Sequence, residues 1–374
     1  MLFVIDEADA LQKMYPITEF TPLQDVFAGL FTIAERWSRY LSAPVLGSNE
    51  LTEGTVSNNN DIYKLNAFVL PTPALATAIK VLPPNTVLQQ RNEIICTPFV
   101  NTAHTSSPSV KQYDGAITVI DSLWDLVRMN GEILAADFLL QSSFGNTQSL
   151  PNGCIVWGDS SRLFLGQNLT CFGASFNTTS GPIVIGNDVV IMEGTYLRGP
   201  LYLGDGTVVK MGAKIYGGSF RGLNTLGGEI KNTITLTGTN KAHDGYLGDS
   251  YVGAWCNFGA GTTVSNVKNT AGEVLAHHVA SSSFLSAGNK AGLLMGSFSR
   301  LAINSSINTG TVIGTCVNFF SSDLSGKFIP SFSWGSEKYS FEKAITHIRN
   351  WMQFKGEELS EQATQKLFTI YNKQ

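Results

Sequence analysis

The sequence predicts two domains and a tail: an α/β domain over residues 1–150, a parallel β-helix over 151–335 and a helical tail over 336–374. Three observations lead to this fold class. The chain has 374 residues, 43% hydrophobic and only 14% charged, enough for two or three domains with sizeable cores. Its middle carries a six-residue repeat, and its flanks carry mixed strand and helix patterns. The composition excludes a disordered chain and a coiled coil.

The α/β prediction for the first domain comes from short periodic segments. Residues 2–5 form an apolar run typical of a strand, and residues 27–41 carry a helical pattern with bases near its end. Two more helices are predicted at 71–81, which opens on proline, and at 122–129.

The six-residue repeat defines the middle domain. Apolar residues recur at every sixth position at Ile185, Ile191, Leu197, Leu203, Val209 and Ile215, and again over 252–264 and 295–319. A chain with this period makes a short strand, turns and repeats, so that three strands close one coil of about 18 residues. Small residues between the apolar positions supply the corners. The alternative is a β-sandwich in which apolar residues recur at six-residue intervals by chance. The number of consecutive positions that keep this interval makes the alternative unfavourable.

The repeat is interrupted twice, between Ile215 and Val252 and again over residues 266–294. Interruptions of a solenoid usually become protruding loops that build the binding face. We therefore predict loops in both places. Residues 341–371 read as one or two amphipathic helices that could cap an open end of the β-helix.

Charge and cysteine content exclude several classes of protein. The net charge of −4 argues against a nucleic-acid-binding protein. No apolar run is long enough to cross a membrane, and the N-terminus lacks the basic start of a signal peptide. The scattered cysteines contain no C-x-x-C pair, which fits a reduced protein. We therefore expect a cytoplasmic protein without a membrane partner.

The bases are unevenly distributed. Residues 1–150 hold 8 Lys and Arg against 15 Asp and Glu, whereas residues 151–330 hold 11 against 9. Five bases precede His243 at positions Lys210, Lys214, Arg221, Lys231 and Lys241. On stacked coils these bases could form one ledge that binds phosphates. The alternative is an ordinary solvated lysine face.

The segment KAHDGYLGDSYVGAWCNFGAGTTVSN (241–266) resembles the bacterial N-acetylglucosamine-1-phosphate uridylyltransferase/glucosamine-1-phosphate acetyltransferase family. INTGTVIG (307–314), KFIPSFSWG (327–335) and the stretch 16–41 are similar to a sugar-nucleotidyltransferase-like branch of that family. The resemblance implies a nucleotidyltransferase-like first domain, a left-handed β-helix and a homotrimer. It also implies acyl transfer from acetyl-CoA, as co-substrate, to an amino sugar phosphate.

The resemblance assigns roles to seven residues. It implies that His243 is the general base that deprotonates the acceptor amine, which suits a side chain that titrates near neutral pH. The residues implied to bind the acceptor are Lys231, Tyr246 and Asn257. Those implied to let the acetyl-CoA thioester approach the backbone are Gly259, Ala260 and Gly261.

A zinc site, as in β-helix carbonic anhydrases, is an alternative suggested by His277 and His278. Adjacent side chains on an extended chain point to opposite sides, so both are not expected to join His243 on one ion. We predict no metal site there.

The sequence departs from the family in the first domain. No glycine-rich G-x-G-T-R run is present, and that domain has few bases, whereas nucleotidyl transfer needs cations on the triphosphate and carboxylates for Mg²⁺. We expect a reduced, divergent nucleotidyltransferase domain, with Mg²⁺ used only if nucleotidyl transfer is retained. The alternatives to acyl transfer are a sugar-1-phosphate nucleotidyltransferase and a non-catalytic β-helix protein that binds a nucleotide-sugar.

Overall fold

The computed structural model describes residues 1–52, 62–99, 107–140 and 148–374. The chain divides into two compact units. The first unit contains residues 1–13, 22–26 and 31–122, and the second contains residues 14–21, 27–30 and 123–374. This division differs from the boundary predicted at residue 150, because a helix over 123–140 packs on strands of the β-helix.

The helices of the described residues are Ala10–Met14 (α1), Ile17–Phe20 (α2), Ile33–Leu41 (α3), Pro73–Lys80 (α4), Leu123–Leu140 (α5), Phe341–Gln353 (α6) and Glu361–Tyr371 (α7). Helix α3 starts later than predicted because Thr32 caps it: its hydroxyl accepts from the Glu35 amide (3.2 Å), and its own amide donates to the Glu35 carboxylate (2.7 Å). In the described ranges no helix combines the length and apolar character needed to cross a bilayer.

The first unit is built around a six-stranded sheet. Its strands lie in the order Val45–Leu46, Leu2–Asp6, Ile62–Asn66, Glu93–Pro98, Thr86–Gln90 and Ser109–Gln112. The first three strands are parallel, whereas Glu93–Pro98 is antiparallel to both of its neighbours. The central strand Leu2–Asp6 is almost wholly buried, and α4 contributes buried Leu75 and Ile79. The predicted α/β character of this region is confirmed.

The second unit is a parallel β-helix with three faces. Face A contains Leu163–Leu165, Ile183–Ile185, 201–203, 218–220, 233–235, Tyr251–Val252, Leu293–Met295, Thr311–Ile313 and Phe328–Ile329. Face B contains Thr170–Cys171, Val190–Ile191, Val208–Val209, Thr225–Leu226, Asn240–Lys241, Asn257–Phe258, Arg300–Leu301, Asn318–Phe319 and Ser333–Trp334. Face C contains Ile155–Trp157, Ser175–Asn177, 196–198, 214–216, 229–231, Tyr246–Gly248, Thr263–Val264 and Ser306–Ile307.

The apolar residues that recur every six positions point inward, one face after another. Leu203 pairs with Ile185 on face A, Val209 with Ile191 on face B, and Ile215 with Leu197 on face C. All six of these side chains are at most 1% exposed. The predicted parallel β-helix is therefore confirmed, and a β-sandwich is excluded. The left-handed sense of the coil stays a prediction.

The first predicted loop, between Ile215 and Val252, is wrong. Ile215 pairs with Ile230 on the next coil, and Ile230 pairs with Leu247 on the coil after that. Both coils are shorter than the predicted length of about 18 residues. The stack continues here with shorter corners, which breaks the sequence period without breaking the pairing of the strands.

The second interruption is a true insertion. Tyr251 and Leu294 lie on either side of it in the sequence, and they pair directly. Between them the strands Leu275–His278 and Ser283–Ser286 form an antiparallel hairpin. The insertion therefore leaves the stacking of the coils intact.

Helices α6 and α7 pack along a side of the β-helix. The predicted cap over its open end is therefore wrong. Their buried residues include Ile345, Ile348, Leu367 and Ile370, and they form one cluster with residues from the turns between faces A and B. Those turn residues are Phe298, Cys316 and Phe332, each with a positive φ. This backbone conformation turns the side chains of the corner outward, where the amphipathic helices cover them.

Helix α5 lies on face A. The buried Asn130 carboxamide oxygen accepts hydrogen bonds from the Gly29 amide (2.9 Å) and the Ser219 hydroxyl (3.0 Å). The Asn232 side chain donates to the carbonyl of Val127 (3.0 Å). These polar contacts fix the helix along face A.

One inward position holds a charge. Lys241 pairs with Leu226 in the inward series of face B and is 1% exposed. Its ammonium group donates to the carbonyls of Gly227 (3.5 Å) and His243. The apolar interior forms one cluster up to Ile230 and another from Leu247 onward, and Lys241 lies between them. Burial lowers the pKa of Lys241 to about 8.

We expect Lys241→Leu to stabilise the protein at pH 7 by about 2 kcal/mol. The substitution removes a buried charge and places a leucine above Leu226, its partner on the preceding coil. In the parent protein the unfolded lysine holds its proton between pH 8 and about 10, where the folded one releases it. Stability should therefore rise with pH across this window in the parent, relative to the variant. Urea unfolding at pH 7, 8, 9 and 10 measures both effects. Equal pH dependence in the two proteins would contradict the burial of this charge.

Candidate functional site

Face C carries a groove in the first coils of the β-helix. Side chains alternate along a strand, so the residues on either side of each inward residue point outward. A cavity of about 540 Å³ opens there, lined by Trp157, Tyr196, Arg198, Lys214 and Tyr216 among others. The parallel register places these side chains in two outward columns along the β-helix axis.

The two columns continue beyond the groove. Column 1 contains Ser175, Tyr196, Lys214, Glu229 and Tyr246. Column 2 contains Trp157, Asn177, Arg198, Tyr216 and Lys231. Lys231 and Tyr246, two of the predicted acceptor-binding residues, thus lie in neighbouring columns on successive coils of the same face.

A network of hydrogen bonds joins these two residues around a buried carboxylate. The Asp249 side chain accepts from the Lys231 ammonium group (3.2 Å), from Asn232 (3.2 Å) and from Asn266 (2.5 Å). The Asn266 amide also donates to the Tyr246 hydroxyl (3.1 Å). The Asp249 side chain is only 8% exposed and that of Lys231 27%. We call these five residues the Asp249 cluster.

Two phenols, one in this cluster and one near it, are held in their protonated form. Burial, and then the charges of Asp249 and Glu229, raise the pKa of Tyr246 to about 12. Burial, and then a hydrogen bond to Glu229, raises the pKa of Tyr216 above its ordinary value. Both tyrosines therefore remain neutral hydrogen-bonding groups at physiological pH.

His243 is exposed on the turn between faces B and C. Its carbonyl accepts from the Lys241 ammonium group, which ties this turn to the interior. Shortly afterwards the chain enters face C at Tyr246. The structure therefore places the predicted base in solvent at the edge of face C, close along the chain to an acceptor-binding residue.

The predicted cofactor-binding residues lie on the next turn of the same edge. The Gly261 amide donates to the carbonyl of Asp244 (3.0 Å), and the Gly259 amide donates to that of Leu301 (2.9 Å). A Cβ atom at Gly259 would meet the amide nitrogen of Ile303 at 2.4 Å. These two N–H groups hold neighbouring coils together, so they are engaged within the chain. Ala260 is exposed between them.

Asn257 lies on a different face from Lys231 and Tyr246. It belongs to the outward column of face B, where it pairs with Asn240 below and Arg300 above. The structure therefore brings together two of the three predicted acceptor-binding residues and separates the third within one chain.

The predicted ledge of five bases is not formed. Lys241 points inward, and the Arg221 guanidinium lies over the Phe27 ring (5.8 Å). Lys214 and Lys231 share face C but stand in different columns. The prediction assumed a uniform coil length of about 18 residues. The coils in this region are shorter, so the five bases do not stack.

Sequence reasoning missed Asp249, Asn266 and the aromatic end of the groove at Trp157. A signal for the first two exists, because Lys231, Asp249 and Asn266 follow one another at separations close to the length of one coil. Such separations place the three residues on successive coils.

The two histidines of the proposed alternative zinc site lie on the inserted hairpin. The His277 ring stacks on Phe328 (4.4 Å between centroids), and the His278 ring bonds the Ser281 hydroxyl (2.7 Å). Within residues 1–52, 62–99, 107–140 and 148–374, no group of three or more His, Cys, Asp or Glu side chains is arranged to hold a metal ion.

The first unit has its own candidate site at the carboxyl ends of its parallel strands. Asp6 and Asn66 end two adjacent strands at this edge, where open α/β sheets usually bind ligands. The Ser48 hydroxyl donates to the carbonyl of Ile5 (3.1 Å), and the Asn66 amide donates to the Glu93 carboxylate (2.7 Å). These polar groups are neutral or acidic, in line with the low base content of the region.

Comparison with known proteins gives a family model for the first part of the chain and bifunctional transferases as relatives. Residues 2–143 match the family model described as sugar nucleotidyl transferase. The bifunctional sugar-1-phosphate nucleotidylyltransferase/acetyltransferase of Sulfurisphaera tokodaii is 25% identical over 279 residues, which cover 70% of this chain and 57% of that protein. The bifunctional protein GlmU of Clostridium botulinum (strain Langeland) is 31% identical over 125 residues, 33% of this chain and 26% of that protein.

These matches confirm the family resemblance predicted from the sequence. The match over residues 2–143 confirms the nucleotidyltransferase-like region, and the strand pairing establishes the parallel β-helix that follows it. The chain spans little more than half the length of the Sulfurisphaera protein and about a quarter of the Clostridium protein. A solved structure of the polySia-specific acetyltransferase NeuO matches 48% of this chain and 76% of that chain, with 13% identity and a TM-score of 0.29.

We expect Lys231 and Asp249 to be energetically coupled. Lys231→Met leaves a buried carboxylate without its cation, and Asp249→Asn leaves the ammonium group without its counter-ion, so each should destabilise the protein by about 1–3 kcal/mol. The loss in the free energy of unfolding of the double variant should be about 1 kcal/mol smaller than the sum of the two single losses. Lys214→Met on the same face is the control, with an expected change within about 0.5 kcal/mol. Additive losses in urea unfolding would contradict the coupling.

Proposed function

We propose that the β-helix transfers an acetyl group from acetyl-CoA to an amino sugar phosphate. The observation that carries this proposal is the Asp249 cluster, which holds Lys231 and Tyr246 on face C, while His243 lies exposed on the turn that leads into this face. An ammonium group bound to a buried carboxylate is fixed in position and still has donors for a phosphate. The acetyltransferase part of the Sulfurisphaera protein's name supports the same reaction class.

In the proposed reaction the acceptor amine attacks the thioester carbonyl of acetyl-CoA. His243 takes the proton from the attacking nitrogen as the new C–N bond forms. The C–S bond then breaks, and the coenzyme A thiolate takes this proton from His243 and leaves as the thiol. Tyr246, protonated at neutral pH, and Lys231 hold the sugar and its phosphate. Asn257 belongs to this site only if a second subunit brings face B against face C, as in the proposed homotrimer.

The path of acetyl-CoA is proposed to follow the turn that contains Gly259, Ala260 and Gly261. Because two of the amides there are engaged, this turn would contribute its exposed surface at Ala260. A cytoplasmic location remains part of this proposal.

We expect His243→Ala to lower kcat for acetyl transfer by about 100-fold or more, the usual contribution of a general base. Its stability should change by less than about 0.5 kcal/mol because the side chain is exposed. Release of free thiol from acetyl-CoA in the presence of glucosamine 1-phosphate measures the rate.

His278→Ala on the inserted hairpin is the matched control and should retain the parent rate. Equal rates in the His243 variant and the parent would exclude the mechanism. A parent protein that binds nucleotide-sugars without any thiol release would instead favour the non-catalytic alternative.

Nucleotidyl transfer by the first unit is the second candidate function, favoured by the match of residues 2–143 to sugar nucleotidyl transferases. This reaction needs Mg²⁺ on the triphosphate, for which Asp6 at the carboxyl edge of the sheet is a candidate ligand.

Removal of divalent metal should separate the two activities. With EDTA present, the rate of acetyl transfer should stay within about twofold of the rate measured without EDTA, because a histidine base and a thioester need no metal ion. Any release of pyrophosphate from UTP and a sugar 1-phosphate should be abolished. Loss of both activities in EDTA would contradict the metal-free acyl transfer proposed for the β-helix.

A further inference from the structure

The groove on face C extends well beyond the residues that would bind a monosaccharide phosphate. From Lys231, column 2 runs through Tyr216, Arg198 and Asn177 to Trp157. Four steps between adjacent strands correspond to about 19 Å at the usual spacing. A sugar phosphate held by Lys231 and Tyr246 would leave most of this length empty.

We propose that the groove binds the nucleoside diphosphate part of the acceptor, so that the acceptor is a nucleotide-linked amino sugar. This inference rests on the proposed function and deepens it by naming the substrate class. The amino sugar would lie at the Lys231 end, the two phosphates beside Arg198 and Lys214, and the base at the Trp157 end.

The aromatic residues of the groove support a planar ligand. Trp157 is 57% exposed and Tyr196 is 60% exposed, although large aromatic side chains are usually more buried. The Trp157 indole nitrogen donates to the Ser175 hydroxyl (3.1 Å), which fixes the orientation of the ring. Exposed rings held in place in this way are suited to stack with a nucleobase.

The charges of the groove support a diphosphate. Arg198 and Lys214 occupy neighbouring columns on adjacent coils, are both exposed, and form no ion pair within the described part of the chain. The residues that line the cavity include no carboxylate. The next acid along column 1 is Glu229, and its carboxylate accepts a hydrogen bond from Tyr216. Two unpaired cations on successive coils match two linked phosphate groups.

The test compares UDP-glucosamine with glucosamine 1-phosphate as acceptors in the thiol-release assay with the full chain. UDP-glucosamine should have a kcat/KM at least about tenfold higher, since stacking of a base alone contributes this much. Trp157→Ala and Arg198→Glu should each raise its KM about tenfold. The KM values for glucosamine 1-phosphate and acetyl-CoA should not change. Lys343→Glu, an exposed charge reversal on α6, is the control.

The outcomes separate this inference from the proposed function. Acetylation of glucosamine 1-phosphate alone, or equal effects of the variants on both acceptors, would overturn the inference and leave acyl transfer standing. A raised KM for acetyl-CoA in the variants would assign the groove to the donor and also overturn it. If neither acceptor reacts, the proposed acyl transfer is wrong. Calorimetric titration with UDP-glucosamine then decides whether the groove binds a nucleoside diphosphate. Binding weakened by Trp157→Ala and Arg198→Glu supports the inference, and unchanged binding overturns it.

Discussion

The stacking of coils in register is the constraint on which the second unit depends. Every face of a coil contributes inward side chains, such as Ile185, Ile191 and Leu197. Hydrogen bonds between parallel strands hold equivalent residues one above another. A side chain that points outward is therefore ordered along an axis by the same pairing that builds the core. The two columns of face C are a direct result, and they give the groove its length and its sequence of aromatic and cationic groups.

Buried polar groups of this scaffold form hydrogen bonds at both edges of face C. Lys241 breaks the apolar interior, and its ammonium group binds the carbonyl of the His243 turn. Asp249, one coil after Lys231, gathers three donors. Each arrangement carries a cost of desolvation that an apolar residue would avoid. Lys241 lies between the two apolar clusters, and Asp249 binds Lys231, which the resemblance implies to bind the acceptor.

The sequence was sufficient to predict the β-helix but not the positions of all its residues. An inward position must be apolar in nearly every coil, so Ile185 to Ile215 reveal the period. Corners can lose residues without changing any inward side chain, so the period alone predicts a loop where shortened coils follow Ile215. That error misplaced the bases around Lys241. The apolar period of α5 shows that the helix is buried but not that its partner is face A. Asn257 was grouped with Tyr246 because motif spacing carries no information about faces.

The inserted hairpin shows how such a protein can diversify. The whole insertion separates Tyr251 from its partner Leu294 in the sequence, yet the two pair as if the coil had its usual length. Lengthening a loop adds only a slowly growing entropic penalty, and the neighbouring coils need no repacking. A corner of this scaffold can therefore gain or lose a recognition element while the inward side chains keep their packing. Because the corners can change while the stacked core does not, such a scaffold can acquire new ligands in small steps, and the protein can stay folded at each step.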